Sequence, residues 1–558
     1  MNDIYQLINF SSSLVILTIG AMLALYPINL RFLHFLQQEE YDNRRFLQWW
    51  ISSRSFEKRT TGLMLIFALA LWLSEARASI SELPLFRVIL LSSIIAASIA
   101  AVGWTNRAHS TKKALVMTSR VKRILTICLI LQVVFLAGVV SLLMLTSYMK
   151  FHLLVNALVI TLEFIAIPLF LTAANLCLAP YESLVQRKFL NEAKSILARI
   201  KPEVIGITGS YGKTSFKHIL AHILASHAPT LATPGSVNTL MGITRIIRER
   251  LRNDHAYFIV EMGAYGIGSI KRLCGLTPPD TAIVTAVGLA HMERFKSIET
   301  VARAKSELPQ ALPNDGSAVL CGDDPNVRAM AQSLKVKTKF YGSDASLGQL
   351  DCWLKESTLN DKGLKCTLEY EGKSYSFDMP LYGRHQALNA TGAFLTAMTM
   401  FVAPVTAIAA LQSVPPIAHR LVVHKDVNGV TTIDDAYNSN PTGFENALDA
   451  LESLSGSRKI LITPGMVELG DQADEAHRRI AAHAASRCDQ ILLVAAHRLE
   501  AFRQGLIDSG FPKEKILLYP SLSEAQQWLN QNLQSGDVVL YENDLPDLYE
   551  TQTAFSLF

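Results

Sequence analysis

Charge is scarce in this sequence: Asp, Glu, Lys and Arg make up 18% of its 558 residues, against 50% hydrophobic ones. So little charge implies that part of the chain lies in lipid, and the length calls for two to four domains. Cysteine is also sparse. Cys128, Cys177, Cys274, Cys321, Cys352, Cys366 and Cys488 show no CxxC spacing, so neither a disulfide framework nor a zinc site is implied. The net charge is only +4, concentrated beside the apolar stretches, which argues for anionic lipid headgroups and against nucleic acid. The full GxxxxGK[ST] pattern is absent, because its first Gly falls at Ile207. A GxGxxG after the first strand of the last domain is absent as well, which leaves a nicotinamide cofactor unsupported.

What is there begins with five apolar stretches, roughly 12–30, 61–73, 88–105, 124–146 and 153–180. Most reach or approach the ~20 residues that cross a bilayer, and they predict a five-span membrane domain over residues 1–180. Arg31, Arg44, Arg45, Arg54, Lys58 and Arg59 crowd the first loop, and Arg107, Lys112, Lys113, Arg120, Lys122 and Arg123 the third. The other two loops are nearly bare. The positive-inside rule then places the N-terminus outside, as a multi-pass inner-membrane protein, with everything after Leu178 in the cytoplasm. Glu163 falls inside the fifth stretch, where an ionisable group must face protein or a polar cavity.

The cytoplasmic part is organised around Val204-Ile-Gly-Ile-Thr-Gly-Ser-Tyr-Gly-Lys-Thr214. An apolar strand runs into a Gly-rich turn that opens a helix, the geometry of a phosphate cradle. Backbone N–H groups at Gly209, Ser210 and Gly212 would face phosphate, Lys213 would neutralise it, and the Thr214 hydroxyl would join the shell of Mg2+. ATP is the expected ligand. Two further strands end in Glu261 and, through Val287-Gly-Leu-Ala, in His291; both residues point to the same crevice as metal candidates. Lys305 lies on a helix, where lysines usually face solvent. His385 and Asn389, four apart on another helix, share a face. Residues 352–379 alternate as an antiparallel excursion, and Pro415-Pro416 marks a hinge. Beyond it, strands and helices alternate as a second open sheet of the dinucleotide-binding type. The expected organisation is 1–180 membrane, 181–416 central P-loop α/β domain and 417–558 Rossmann-like domain.

Taken in order, Gly206–Thr214, Glu261-Met-Gly-Ala, Ala290-His-Met-Glu293, Val301–Glu307, Gly383–Asn389, Asp434–Pro441 and Gly465–Gly470 with His477 resemble the Mur ligase family. The resemblance spans residues 200 to 480 and leans towards the D-alanyl-D-alanine-adding branch. It implies ATP-dependent amide formation through an acyl phosphate in peptidoglycan precursor synthesis. The carboxylate would be a muramoyl-peptide or lipid-linked precursor, and the amine an amino acid or dipeptide. It further implies Lys213, His291 and Lys305 as catalytic, Lys305 through a carbamate, with Thr214, Glu261, His291 and Lys305 around metal. Asn389 would meet adenine, and Arg420 and Asp435 would close over the nucleotide, Asp435 on the ribose. Apolar stretches stand in place of the family's uridine-nucleotide domain. Tyr541-Glu-Asn-Asp544 stands where that branch has Lys-Gly-Ser. An ATP-driven transporter and a noncatalytic scaffold are the readings from other classes.

Overall fold

The computed structural model describes residues 25–52, 115–145, 152–289, 292–437, 439–467 and 469–544. The chain divides near residue 185 into two units.

In the first unit, residues 25–38 are helical, followed by α1 (Asn43–Ser52), α2 (Ser119–Leu145) and the start of α3 (His152–Ile200), whose last residues belong to the second unit. The five-span expectation is corrected here. Among the described residues, two stretches, Ser119–Val139 and Thr161–Ile200, are long and apolar enough to cross a membrane. Stretches 61–73 and 88–105, and most of 12–30, lie outside the described residues. The described end of 12–30 shows why counting apolar residues overreaches. Asn29 is fully buried there and donates to Gln132 Oε1 of α2 at 3.2 Å, so this segment is packed against a neighbouring helix. Some charges assigned to the third loop are also helical: Arg123 lies on α2 and pairs with Glu182 of α3 at 2.6 Å. Glu163 is fully buried. The expected fifth stretch and the charged segment after it form one 49-residue helix, α3, despite Pro168 and Pro180.

The second unit, Gln186–Leu545, holds both α/β sheets. Its chain runs β1 (Glu203–Thr208), α4 (Lys213–Ala225), β2 (Thr230–Ala232), α5 (Leu240–Arg250), β3 (Tyr257–Glu261), β4 (Thr281–Val284), α6 (Ile298–Ser306), β5 (Ser317–Cys321) and β6 (Lys337–Gly342). The hairpin strands β7 (Cys352–Asn360), β8 (Gly363–Tyr370) and β9 (Lys373–Met379) follow, and then α7 (Arg384–Thr399). The order is β2-β3-β1-β4-β5-β6-β7-β8-β9, parallel to β7 and antiparallel beyond. The central parallel strands β1, β3, β4 and β5 are apolar runs buried on both faces, such as Phe258, Ile259 and Val260 in β3. β1 lies between β3 and β4, where the direction of winding reverses. The crevice outside its carboxyl end is therefore the expected ligand position.

The second sheet comprises β10 (Val422–Lys425), β11 (Thr431–Asp435), β12 (Arg458–Thr463), β13 (Gln490–Val494), β14 (Ile516–Tyr519) and β15 (Asp537–Glu542). They are ordered β10-β11-β15-β12-β13-β14, all parallel except β10. The strand β15, last in sequence, is thus inserted between β11 and β12, and its end adjoins that of β11.

Helices α4 and α7 approach closely at Gly392. A Cβ built there lies 2.5 Å from Phe216 Cε2 and 2.7 Å from Tyr341 Cζ, and both rings are buried. Gly392→Ala gains up to ~1 kcal/mol of helix propensity, but the overpacking costs ~1–3 kcal/mol and wins. Thermal unfolding should show a lower midpoint for this variant.

Candidate active site

Strand β1 ends at Thr208 and the chain turns through Gly209, Ser210, Tyr211 and Gly212 into α4. A Cβ on Gly209 would lie 1.9 Å from Thr285 Oγ1. Gly212 caps the helix at φ 82°, in the left-handed region, and a Cβ there would meet Asn389 Oδ1 at 2.9 Å. Both positions therefore require glycine. Thr285, after β4, fixes the turn by donating to Tyr211 O at 2.5 Å. Ser210 exchanges hydrogen bonds with the Gly288 backbone, at 3.1 Å to its O and 2.9 Å from its N–H. Lys213 folds its ammonium back onto the turn, 2.6 Å from Gly209 O and 3.3 Å from Ser210 O. Burial holds its pKa below the usual lysine range. A turn of this shape, with a cation at its mouth, fits a polyphosphate.

At the next residue, the Thr214 hydroxyl donates to Glu261 Oε2 at 3.0 Å. The same carboxylate forms a buried ion pair with Lys217 at 2.8 Å, while its Oε1 accepts from Asn238 Nδ2 at 3.1 Å. Burial alone would raise the Glu261 carboxyl, but Lys217 and Lys213 outweigh it and hold it below the usual range. Lys217 also donates to Gly235 O at 2.5 Å, which fastens the 233–239 loop to α4. Thr214 and Glu261, adjacent oxygen donors beside the cradle, fit one edge of a Mg2+ shell. Among the described residues no three His, Cys, Asp or Glu side chains are grouped tightly enough to hold a metal alone.

Lys305 departs from the usual helical lysine: it is 4% exposed. Burial, with the charge of nearby Lys213, drives its pKa well below the ordinary value, a shift towards the neutral amine. His291 lies outside the described residues.

Asn389 is buried on α7, with Nδ2 lacking a hydrogen-bond partner. Its neighbour Gln386 donates to Ser215 Oγ at 3.3 Å, and its Oε1 is likewise unpartnered. His385, on the same helix, is pushed down to about 4 by burial and by Arg420. The Arg420 guanidinium stacks 4.3 Å from the Tyr437 ring centroid. Arg420 and Tyr437 line one cleft with Ser210, Gly212, Lys213, Thr214, Asn238, Glu261 and Ser439. Asp435 lies behind them at 9% exposure, with Oδ1 accepting the Leu421 N–H at 3.2 Å.

The cradle, Thr214, Glu261 and Arg420 thus meet at one cleft, with Asn389 reaching its edge at Gly212. Sequence reasoning missed Lys217, Asn238, Thr285 and Ser439. Lys217 had a signal, its i+4 spacing from Lys213. Asn238 and Thr285 had none, since only the folding of two loops against β1 brings them in.

Residues 207–397 match the Mur ligase middle domain and residues 419–541 the Mur ligase glutamate ligase domain. The UDP-N-acetylmuramoyl-tripeptide--D-alanyl-D-alanine ligase of Bacillus subtilis is 29% identical over 352 residues, 63% of this chain and 75% of that protein. Its counterpart in Mycobacterium leprae is 31% identical over 363 residues, 60% of this chain and 70% of that protein. Relatives at 36% identity are matched over 55% of their length. The crystal structure of MurF ligase from Thermotoga maritima in complex with ADP superposes with a TM-score of 0.57 at 25% identity, over 66% of this chain and 82% of that one.

Removing Lys217 should expose how much the second unit relies on this pair. Lys217→Met leaves Glu261 buried without its cation and should cost ~3–5 kcal/mol. Adding Glu261→Gln should recover part of that in chemical denaturation; additive losses would contradict the coupling.

Proposed function

This chain belongs to the Mur ligase family, the ATP-dependent amide ligases of peptidoglycan precursor synthesis, and from that premise we propose how its site works. The enzyme would join UDP-N-acetylmuramoyl-tripeptide to D-alanyl-D-alanine, the pairing carried in the names of its relatives. The observation that carries the reading is the cleft in which the glycine cradle, Lys213 and the Thr214–Glu261 pair share a wall with Arg420 of the C-terminal domain.

In this proposal the substrate carboxylate attacks the γ-phosphate of ATP. The resulting acyl phosphate is attacked by the amine, and phosphate leaves. The turn N–H groups and Lys213 hold the triphosphate and offset charge as it moves to the β-phosphate oxygens. Mg2+ held at Thr214 and Glu261, with His291 and a carbamate on Lys305, would supply further neutralisation. Asn389, with its unpartnered amide, is assigned to adenine, and Arg420 and Asp435 to closure over the nucleotide. Closure of the domains excludes water from the acyl phosphate.

The two apolar stretches, Ser119–Val139 and Thr161–Ile200, support attachment to a membrane, with the catalytic domains on the side that holds ATP. They also favour a second reading for the carboxylate, a lipid-linked peptide. The test is phosphate release from ATP and Mg2+, measured together with amide product, on UDP-N-acetylmuramoyl-tripeptide plus D-alanyl-D-alanine. Release requiring both substrates is expected, with Lys213→Ala reducing it at least ~10³-fold. Product formed only from lipid-linked precursor would move the assignment to the second reading, and ATP turnover independent of any amine would overturn both.

A further inference from the structure

The carboxyl end of the second sheet holds a cluster in which Asp435, assigned above to the nucleotide, is joined by Glu542 and Ser439, which this scheme does not use. Asp435 ends β11 and Glu542 ends β15, and the two are direct partners across the parallel pair, so their side chains leave the same face. Glu542 is fully buried. Its Oε1 accepts the Ser439 hydroxyl at 2.5 Å, while its Oε2 meets no N–H or hydroxyl donor. The two carboxyls face each other across the register, close enough that each shifts the titration of the other. Two carboxyls so placed, out of water, hold one proton between them. Ser439 in turn lines the cleft with Lys213 and Arg420. A hydroxyl at the cleft wall is thereby connected to a buried pair with room for a second proton.

We propose that Ser439, Glu542 and Asp435 form a proton relay that takes the surplus proton of the amine substrate. The inference rests on the amide-ligase reading. The amine arrives as an ammonium ion and cannot attack until it loses a proton. That proton passes to Ser439 Oγ as the serine proton moves to Glu542 Oε1 and the proton on Glu542 Oε2 moves to Asp435. The freed nitrogen lone pair forms the C–N bond, and the C–O bond to phosphate breaks with its electrons leaving on phosphate. The remaining surplus N–H proton departs with the phosphate as hydrogen phosphate. Ser439 touches the amine in this scheme, while Glu542 and Asp435 act through it.

The electrostatics agree. Burial pushes Asp435 up to about 7 against the pull of Arg420. Burial and the charge of Asp435 hold Glu542 well above the usual carboxylate range. The other charges facing the pair are Asp434, which raises Asp435 and is itself bonded to His419 at 2.8 Å, and Arg420. Asp435 must be unprotonated to receive the proton, so turnover should fall as pH drops through about 7.

The test compares the full-length protein with Glu542→Gln, which keeps the shape but cannot relay a proton, on UDP-N-acetylmuramoyl-tripeptide, D-alanyl-D-alanine, ATP and Mg2+. Glu542→Gln should lose about 10²-fold or more in kcat at neutral pH. The deficit should shrink about tenfold per pH unit as free amine replaces the relay. Ser439→Ala should behave likewise, and Ser439→Thr should restore the rate. A deficit that is flat with pH, or none, overturns the relay. Infrared titration of the protein alone decides the matter independently of substrate choice. A protonated carboxyl band titrating near neutral pH and lost in Glu542→Gln supports the relay, and a spectrum unchanged by the substitution overturns it. A native enzyme inactive on these substrates but carrying that band would condemn the substrate assignment and leave the relay standing.

Discussion

The Glu261 carboxylate is the point on which the central site depends. It closes β3 at the switch of the first sheet, and it binds α4 through Lys217 and Thr214 and the 233–239 loop through Asn238. Its own backbone N–H donates to Thr233 Oγ1 at 3.1 Å. A buried carboxylate is tolerable only with such compensation, and the compensation aligns the helix and loop with the strand. The glycine turn proposed to hold phosphate is thereby fixed by its surroundings, as an electrostatic site needs.

The second sheet is built for a different task. The insertion of β15 between β11 and β12 brings residues 107 positions apart into register with β11 and 79 apart with β12. It sets the Glu542 carboxyl beside that of Asp435, next to the segment that carries Tyr437 and Ser439 to the cleft. In the proposed scheme the first sheet offers cations and N–H groups to phosphate, and the second offers a hydroxyl and proton acceptors to an amine. An acyl-phosphate ligase needs both functions at one cleft.

Much of this was legible in order along the chain. The apolar run before Thr208, the glycines at 209 and 212 and Lys213 announce strand, turn and helix, because each local preference agrees with the next. The strand carrying Glu261 and the hairpins at 352–379 read equally directly. The membrane region read less well. Apolar counts do not separate a lipid-facing helix from one packed on its neighbours, and Asn29 with Gln132 shows the difference. Lys305 looked like a surface lysine because burial is a property of the packed helix and not of its spacing. Ser439, Glu542 and Asp435 were out of reach as a group, since only strand register makes them neighbours.

The central claim is that the cleft activates a carboxylate as an acyl phosphate. Positional isotope exchange in ATP labelled at the β,γ-bridge measures that step directly, with UDP-N-acetylmuramoyl-tripeptide present and the amine withheld. The account predicts that label scrambles into the β non-bridging positions only when the carboxylate is added, and that Lys213→Ala abolishes it. Amide formation with no scrambling under any amine-free condition would point to a concerted route and contradict the account.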